Sequence, residues 1–107
     1  MKLFDGRPPH DNAQAVSDAI AYAEAGGQAL HVWLPGEWAE LDRVPIAFKR
    51  NKDKWSHLFD LDRERLARTA RSLGVNVIVV DRQGTRSQHV DLCGSPLERA
   101  IRLCTEE

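Results

Sequence analysis

The sequence predicts a single α/β domain, built on a mixed sheet of four or five strands with three main helices. Two observations predict this class. Short β-branched or aromatic runs alternate with longer segments in which apolar residues recur every three or four positions. The chain has 107 residues, of which 42% are hydrophobic, enough for one core but short for two domains.

The first third predicts a strand, a helix and a second strand. Residues 2–4 form a short edge strand, and a proline-containing loop follows. A helical stripe then runs from Ala13 to Ala23, and glycines 26–27 end that helix. Residues 29–34 predict the second strand, which stops at a Pro-Gly turn. Pro45 argues against a central strand near residues 44–48.

Residues 55–59 are the centre of the predicted fold. Trp55, His57 and Phe59 alternate with Ser56 and Leu58, as in a half-buried strand. The chain then predicts a helix that an aspartate at 60 or 62 caps. Leucines and alanines between 66 and 73 form the apolar stripe of that helix, and a glycine at 74 ends it.

Residues 75–80, with the sequence VNVIVV, predict a strand buried on both faces. Together with the preceding strand and helix they predict a βαβ unit at 54–80. The glycine-containing turn at 81–85 then predicts a β-hairpin onto a strand at 87–92. Ser95 and Glu98, with proline between them, form a capping box that predicts the start of the C-terminal helix.

The second half of the chain carries a series of residues in a recognisable order. The series is Trp55, His57, Leu58, Asp60, Glu64, Leu66, Ala70, Gly74, His89, Asp91, Leu92 and Arg99. It resembles a family of small bacterial and phage domains of unknown function, over about residues 54–104. One departure is Val90, which precedes Asp91 where that family usually has an aromatic residue. The resemblance implies a fold and a set of residues, and it implies no activity.

A ligand site is expected where the chemistry-bearing residues of the central strands could meet. His89 and Asp91 share one strand face, and His57 could lie opposite them. Two imidazoles and a carboxylate could bind a divalent metal with open positions, or act as an acid–base pair. The predicted strand at 75–80 could instead separate His89 from His57. Alternatively, each histidine only forms hydrogen bonds at a strand end.

We expect the ligand near the C-terminal ends of the central strands, following the rule for open α/β sheets. The ligand-binding candidates are Trp55, His57, Asp60, His89 and Asp91. The sequence contains no local ligand signature such as HExxH, so it predicts neither the cofactor nor a metal with any specificity.

The middle of the chain is basic. Residues 43–86 carry 11 basic and 5 acidic side chains, while the whole chain has a net charge of −1. Basic side chains among aromatics could bind nucleic acid, although no known nucleic-acid motif is present. A solvated surface is the alternative. The nucleic-acid candidates are Lys49, Arg50, Lys52, Lys54, Arg68 and Arg71.

The remaining signals concern partners and compartment. Trp33 and Trp38 flank a Pro-Gly turn and are candidates for a homodimer or protein interface. The two cysteines lack a CxxC spacing, which favours a reducing cytoplasm, and we expect no secretory signal and no membrane span. The sequence therefore predicts a small cytoplasmic binding or accessory protein. The alternatives are a metal-assisted hydrolase using the same residues and a nucleic-acid-binding protein.

Overall fold

The computed structural model describes residues 1–6, 12–33 and 55–106, which contain four strands and three helices. The predicted class, α/β with a mixed four-stranded sheet, is confirmed. The strands are β1 (Lys2–Asp5), β2 (Ala29–Trp33), β3 (Trp55–Phe59) and β4 (His89–Cys93). The helices are α1 (Asn12–Glu24), α2 (Arg63–Ser72) and α3 (Gly94–Glu106).

The sheet order follows the chain order, β1-β2-β3-β4. β1 and β2 are parallel and are joined through α1, whereas β2–β3 and β3–β4 are antiparallel. The register places His31 opposite His57, and His57 opposite Asp91. Residues two apart along a strand share a face, so this register decides which side chains meet.

One face of the sheet packs against α2 and α3. Leucines, valines and alanines fill this core: Leu30, Val32, Leu58, Leu66, Ala70, Leu73, Val90, Leu92, Leu97 and Ala100. Burying one leucine side chain contributes about 1.5–3 kcal/mol, so this face supplies most of the hydrophobic stabilisation. The predicted stripe of α2 is confirmed, because Leu66, Ala70 and Leu73 all lie in this core.

The opposite face is covered at one end by α1. Ala19 and Ala23 of the helix pack against Ala29 and Phe59 of the sheet. Alanine has the shortest apolar side chain, so the helix can lie close to the strands. The rest of this face carries histidine, tryptophan and aspartate side chains from β2, β3 and β4.

The predicted strand at 75–80 is wrong. The predicted βαβ unit at 54–80 and the predicted β-hairpin from residues 75–80 onto the next strand are therefore wrong as well. The segment forms no strand, and Val77 and Val79 are 79% and 62% exposed. Val75, Ile78 and Val80 do pack against the core, but β4 takes the place beside β3. A β-branched run fits a half-buried surface whether or not it pairs. The predicted order of strand, helix and strand is found in β3, α2 and β4, but the two strands are antiparallel.

Two further sequence predictions concern α2 and membrane spans. Asp62 caps the N-terminus of α2, where its side chain accepts a hydrogen bond from the Arg65 backbone. Among the three helices described, none is long and apolar enough to span a membrane.

Candidate functional site

Three side chains from β3 and β4 converge on the sheet face opposite the leucine core. We call them the His/Asp cluster: His57, His89 and Asp91. Nε2 of His89 lies 3.3 Å from Oδ1 of Asp91, and Nε2 of His57 lies 3.8 Å from the same oxygen. The possible ligand atoms of all three residues lie within 4.8 Å of one another. Because β3 and β4 are direct neighbours, no intervening strand separates the two histidines.

The ring orientation of His89 is set by a backbone hydrogen bond. Nδ1 of His89 donates to the carbonyl oxygen of Ser87 at 2.8 Å, so this nitrogen carries the proton of the neutral ring. The lone pair of Nε2 then faces Oδ1 of Asp91 and, at 3.8 Å, Oδ2 of Asp81. Acceptors that face one another repel unless a proton or a metal ion lies between them. In metal-ligating histidines, the ring nitrogen that does not bind the metal typically donates a hydrogen bond to a carbonyl or carboxylate, as Nδ1 of His89 does here.

The two histidines of the cluster have opposite pKa shifts. Burial, followed by the nearby His89, lowers the pKa of His57 to about 3, so its ring is neutral at neutral pH. Burial also acts to lower the pKa of His89. Its close polar contact with Asp91, its hydrogen bond to Ser87 and the charges of Asp91 and Asp81 outweigh burial, and the pKa of His89 is raised. The cluster therefore favours a positive charge at the position between His89 and the carboxylates.

His31 extends the cluster onto β2, and sequence reasoning missed it. Its side chain is fully buried, and its Nδ1 lies 3.4 Å from Nδ1 of His57. Burial lowers the pKa of His31 to about 4. If Nε2 of His57 offers its lone pair to a cation, the proton of that ring sits on Nδ1 and is donated to His31. His31 thus orients His57 much as Ser87 orients His89.

Aromatic side chains surround these imidazoles. The rings of Trp33 and Trp55 are stacked 5.9 Å apart, and the Trp55 ring lies 4.7 Å from that of His57. Phe59 packs 5.4 Å from His89. These rings exclude water, which explains why burial dominates the pKa shift of His57. Trp55, a ligand candidate, and Trp33, an interface candidate, both belong to this aromatic surround; Trp38 lies outside the described residues.

Asp60 lies apart from the cluster. Alternation along β3 places it with Ser56 and Leu58, on the face opposite His57. The fully buried carboxylate accepts two hydrogen bonds from Arg65, at 2.7 and 2.8 Å, one from Gln28 at 3.0 Å and one from the backbone N–H of Asp62 at 2.9 Å. Arg65 also donates to the backbone carbonyls of residues 26 and 27. Asp60 therefore connects α2 to the turn after α1, and we leave it out of the proposed site.

Asp81 is a second residue that sequence reasoning missed. Its backbone pairs with His89 in an isolated bridge, which brings its carboxylate to within 3.8 Å of the imidazole. Burial, followed by the charge of Asp91, raises the pKa of Asp81. Cys93 lies on the same sheet face, but burial raises the pKa of its thiol and so disfavours a thiolate nucleophile.

The nucleic-acid candidates are only partly described. Arg68 and Arg71 are exposed on α2, and neither forms an ion pair with another described residue. Lys49, Arg50, Lys52 and Lys54 lie outside the described residues. Nucleic-acid binding therefore stays a prediction.

Comparisons of the chain with protein-family models, with curated proteins and with solved structures found no match. The family resemblance noted from residues 54–104 stays a prediction, and the functional argument rests on the side chains themselves.

Proposed function

We propose that the chain is a small binding protein whose ligand is a divalent transition-metal ion. The ion would be held by Nε2 of His57, Nε2 of His89 and Oδ1 of Asp91. One observation carries the proposal: Oδ1 of Asp91 is buried and accepts no hydrogen bond from the residues that the structure describes, and two imidazole Nε2 atoms lie 3.3 and 3.8 Å away. A buried carboxylate oxygen that makes no hydrogen bond is costly unless a cation compensates it.

The distances from Oδ1 of Asp91 to the two histidine nitrogens suit a shared ion. Ligand bonds of about 2.0–2.2 Å place two ligands of one ion roughly 3–4 Å apart. Both distances to Asp91 fall in that range. Two imidazole nitrogens with one carboxylate favour zinc or ferrous iron, whereas magnesium and calcium prefer sets of oxygen ligands.

Metal-assisted hydrolysis is a second candidate, favoured by the number of ligands, three, that the described residues offer. Catalytic zinc sites use three protein ligands and leave a position for water or substrate, whereas structural sites use four. A bound ion lowers the pKa of its water to about 7. Asp81, which contacts His89 from the side, is placed to accept a proton near such a water. The binding function does not depend on this second candidate.

Thermal melting of the chelator-treated protein tests the metal proposal. Zinc, cobalt, manganese and magnesium would be added separately to the wild type and to Asp91→Asn and His89→Gln. An ion present at about 100 times its Kd stabilises the folded state by about 2.7 kcal/mol, so zinc or cobalt should raise the melting temperature of the wild type. Both variants should lose the shift. Glu64→Gln, an exposed carboxylate on α2, is the control and should retain it.

Two results would overturn the proposal. One is a wild type whose melting temperature no transition metal raises. The other is a zinc shift that survives in both cluster variants, because the ion would then bind elsewhere.

We further propose a reducing, cytoplasmic location, which the lack of a CxxC spacing between the two cysteines of the sequence favours. A homodimer and other protein partners stay predictions.

A further inference from the structure

The His/Asp cluster is closed on most sides and more open beside Asp81. The side chains of His57, His89 and Asp91 are 14%, 11% and 15% exposed, whereas that of Asp81 is 48% exposed. A molecule that approaches a metal ion in the cluster would therefore pass the Asp81 side. The residues next to Asp81 decide which chemistry that molecule can have.

Arg82 follows Asp81, and its backbone is held in an unusual conformation. The bridge between Asp81 and His89 fixes one side of Arg82, through backbone hydrogen bonds of 2.8 and 3.1 Å. On the other side, its carbonyl accepts hydrogen bonds from the backbone and hydroxyl of Thr85. At φ 52, Arg82 is the single non-glycine residue with positive φ in the described ranges.

This conformation is strained for an arginine. Left-handed backbone costs an L-residue about 1–2 kcal/mol, and glycine would avoid the cost. Residues held in such conformations cluster at binding sites, where the strain places a side chain that the site needs. An arginine at this position therefore calls for a role of its side chain.

The charge of Arg82 acts on the cluster and is not taken up by an ion pair with a described residue. Its positive charge adds to the lowering of the pKa of His57 and partly offsets the rise in the pKa of Asp81. The next arginine in the same loop, Arg86, behaves differently because its guanidinium binds Glu24 at 2.6 Å. Arg82 thus forms no ion pair with a described residue, and it follows Asp81 in the chain, at the more exposed side of the cluster.

A divalent ion would leave this side positive. Among the described residues, the carboxylates near the cluster are those of Asp91 and Asp81, which balance the two charges of the ion and leave the charge of Arg82. Guanidinium groups bind phosphate and carboxylate oxygens through two parallel hydrogen bonds.

We infer that the metal site takes a small oxyanion, a phosphate or carboxylate group, bound jointly by the ion and by the guanidinium of Arg82. The inference rests on the proposed metal site and names the class of its second ligand. The oxyanion could belong to a substrate or to a ligand that is not transformed. In the alternative, Arg82 only balances the two carboxylates in the metal-free protein.

Titration of the zinc-loaded protein with inorganic phosphate, and separately with acetate, tests the inference by calorimetry. We compare the wild type with Arg82→Gln and with Arg86→Gln, the control from the same loop. Arg82→Gln should weaken anion binding by about ten-fold or more, since it removes a charge-assisted hydrogen-bond pair. The same variant should bind zinc as tightly as the wild type or more tightly, because a nearby positive charge is gone. Arg86→Gln should change neither affinity.

Arg82→Gly is a second variant, which separates loss of the side chain from loss of folding stability. It relieves the backbone strain, so it should fold at least as stably as the wild type and retain zinc, yet lose the anion. The stronger of the phosphate and acetate titrations identifies which oxyanion the site prefers.

The possible failures are distinguishable. If the wild type does not bind zinc, the metal proposal fails and this inference fails with it. If zinc binds but neither phosphate nor acetate does, or if anion affinity is unchanged in Arg82→Gln, the inference alone is overturned. Loss of zinc affinity in Arg82→Gln also contradicts it.

Discussion

Acid should destabilise the metal-free protein through His31. This side chain is fully buried, and burial lowers its pKa from 6.5 to about 4. In the unfolded chain the same imidazole titrates near its ordinary value. Between these two pKa values the unfolded state binds a proton that the folded state does not. The contribution of His31 to the free energy of unfolding therefore has its full value above pH 6.5 and decreases as the pH drops toward 4.

The magnitude follows from the width of this window. Each pH unit inside it costs about 1.4 kcal/mol per group, so lowering the pH from 6.5 to 5 removes about 2 kcal/mol through His31. His57, the titratable group that contacts His31, adds a loss of the same sign because its pKa is lowered to about 3. His89 acts in the opposite direction, since its raised pKa contributes stability that is present below pH 6.5 and is lost as the pH rises through its folded value.

Urea unfolding of the chelator-treated protein measures the effect at about pH 7.5 and about pH 5, in the wild type and in His31→Gln. The glutamine cannot titrate, while His57 and His89 are present in both proteins. The wild type should lose about 2 kcal/mol more than the variant between the two pH values. Equal pH dependence in the two proteins would refute the assignment of a buried, neutral His31.

Three further predictions concern single side chains. Asp60→Ala should lower the free energy of unfolding by about 3 kcal/mol, because Arg65 and its other hydrogen-bond donors lose their acceptor. The zinc-induced melting shift should survive, and its loss would return Asp60 to the site. Val77→Thr should change the free energy of unfolding by less than about 0.5 kcal/mol in urea, since the side chain is mostly exposed. A larger loss would mean that residues 75–80 are packed after all. His31→Gln should weaken zinc binding by about 10–100-fold in calorimetry, because it disturbs the orientation of His57. Unchanged affinity would remove His31 from the site.

Alternation along single strands predicted much of the site. Residues 55–59 were assigned to a strand, with Trp55 and His57 on one face, and His89 was placed on the same face as Asp91. Each assignment uses only the two-residue period of a strand. The same period also places Asp60 on the sheet face opposite His57, which argues against Asp60 as a ligand in the same site.

Strand order could not be predicted from local pattern. His31 matters because β2 lies beside β3 in one particular register, and that pairing joins residues 26 positions apart. Asp81 joins the cluster through a single backbone bridge that no turn motif predicts. The segment at 75–80 has the composition of a strand, yet composition reports burial and side-chain shape, while pairing depends on which strand occupies the neighbouring position.

The central claim, one ion shared by His57, His89 and Asp91, is tested most directly by anomalous diffraction at the zinc edge from zinc-loaded crystals. The account predicts an anomalous peak about 2.0–2.2 Å from Nε2 of each histidine and from Oδ1 of Asp91. Zinc-loaded crystals with no peak at the cluster, or with the ion bound at Cys93 or at another site instead, would contradict it.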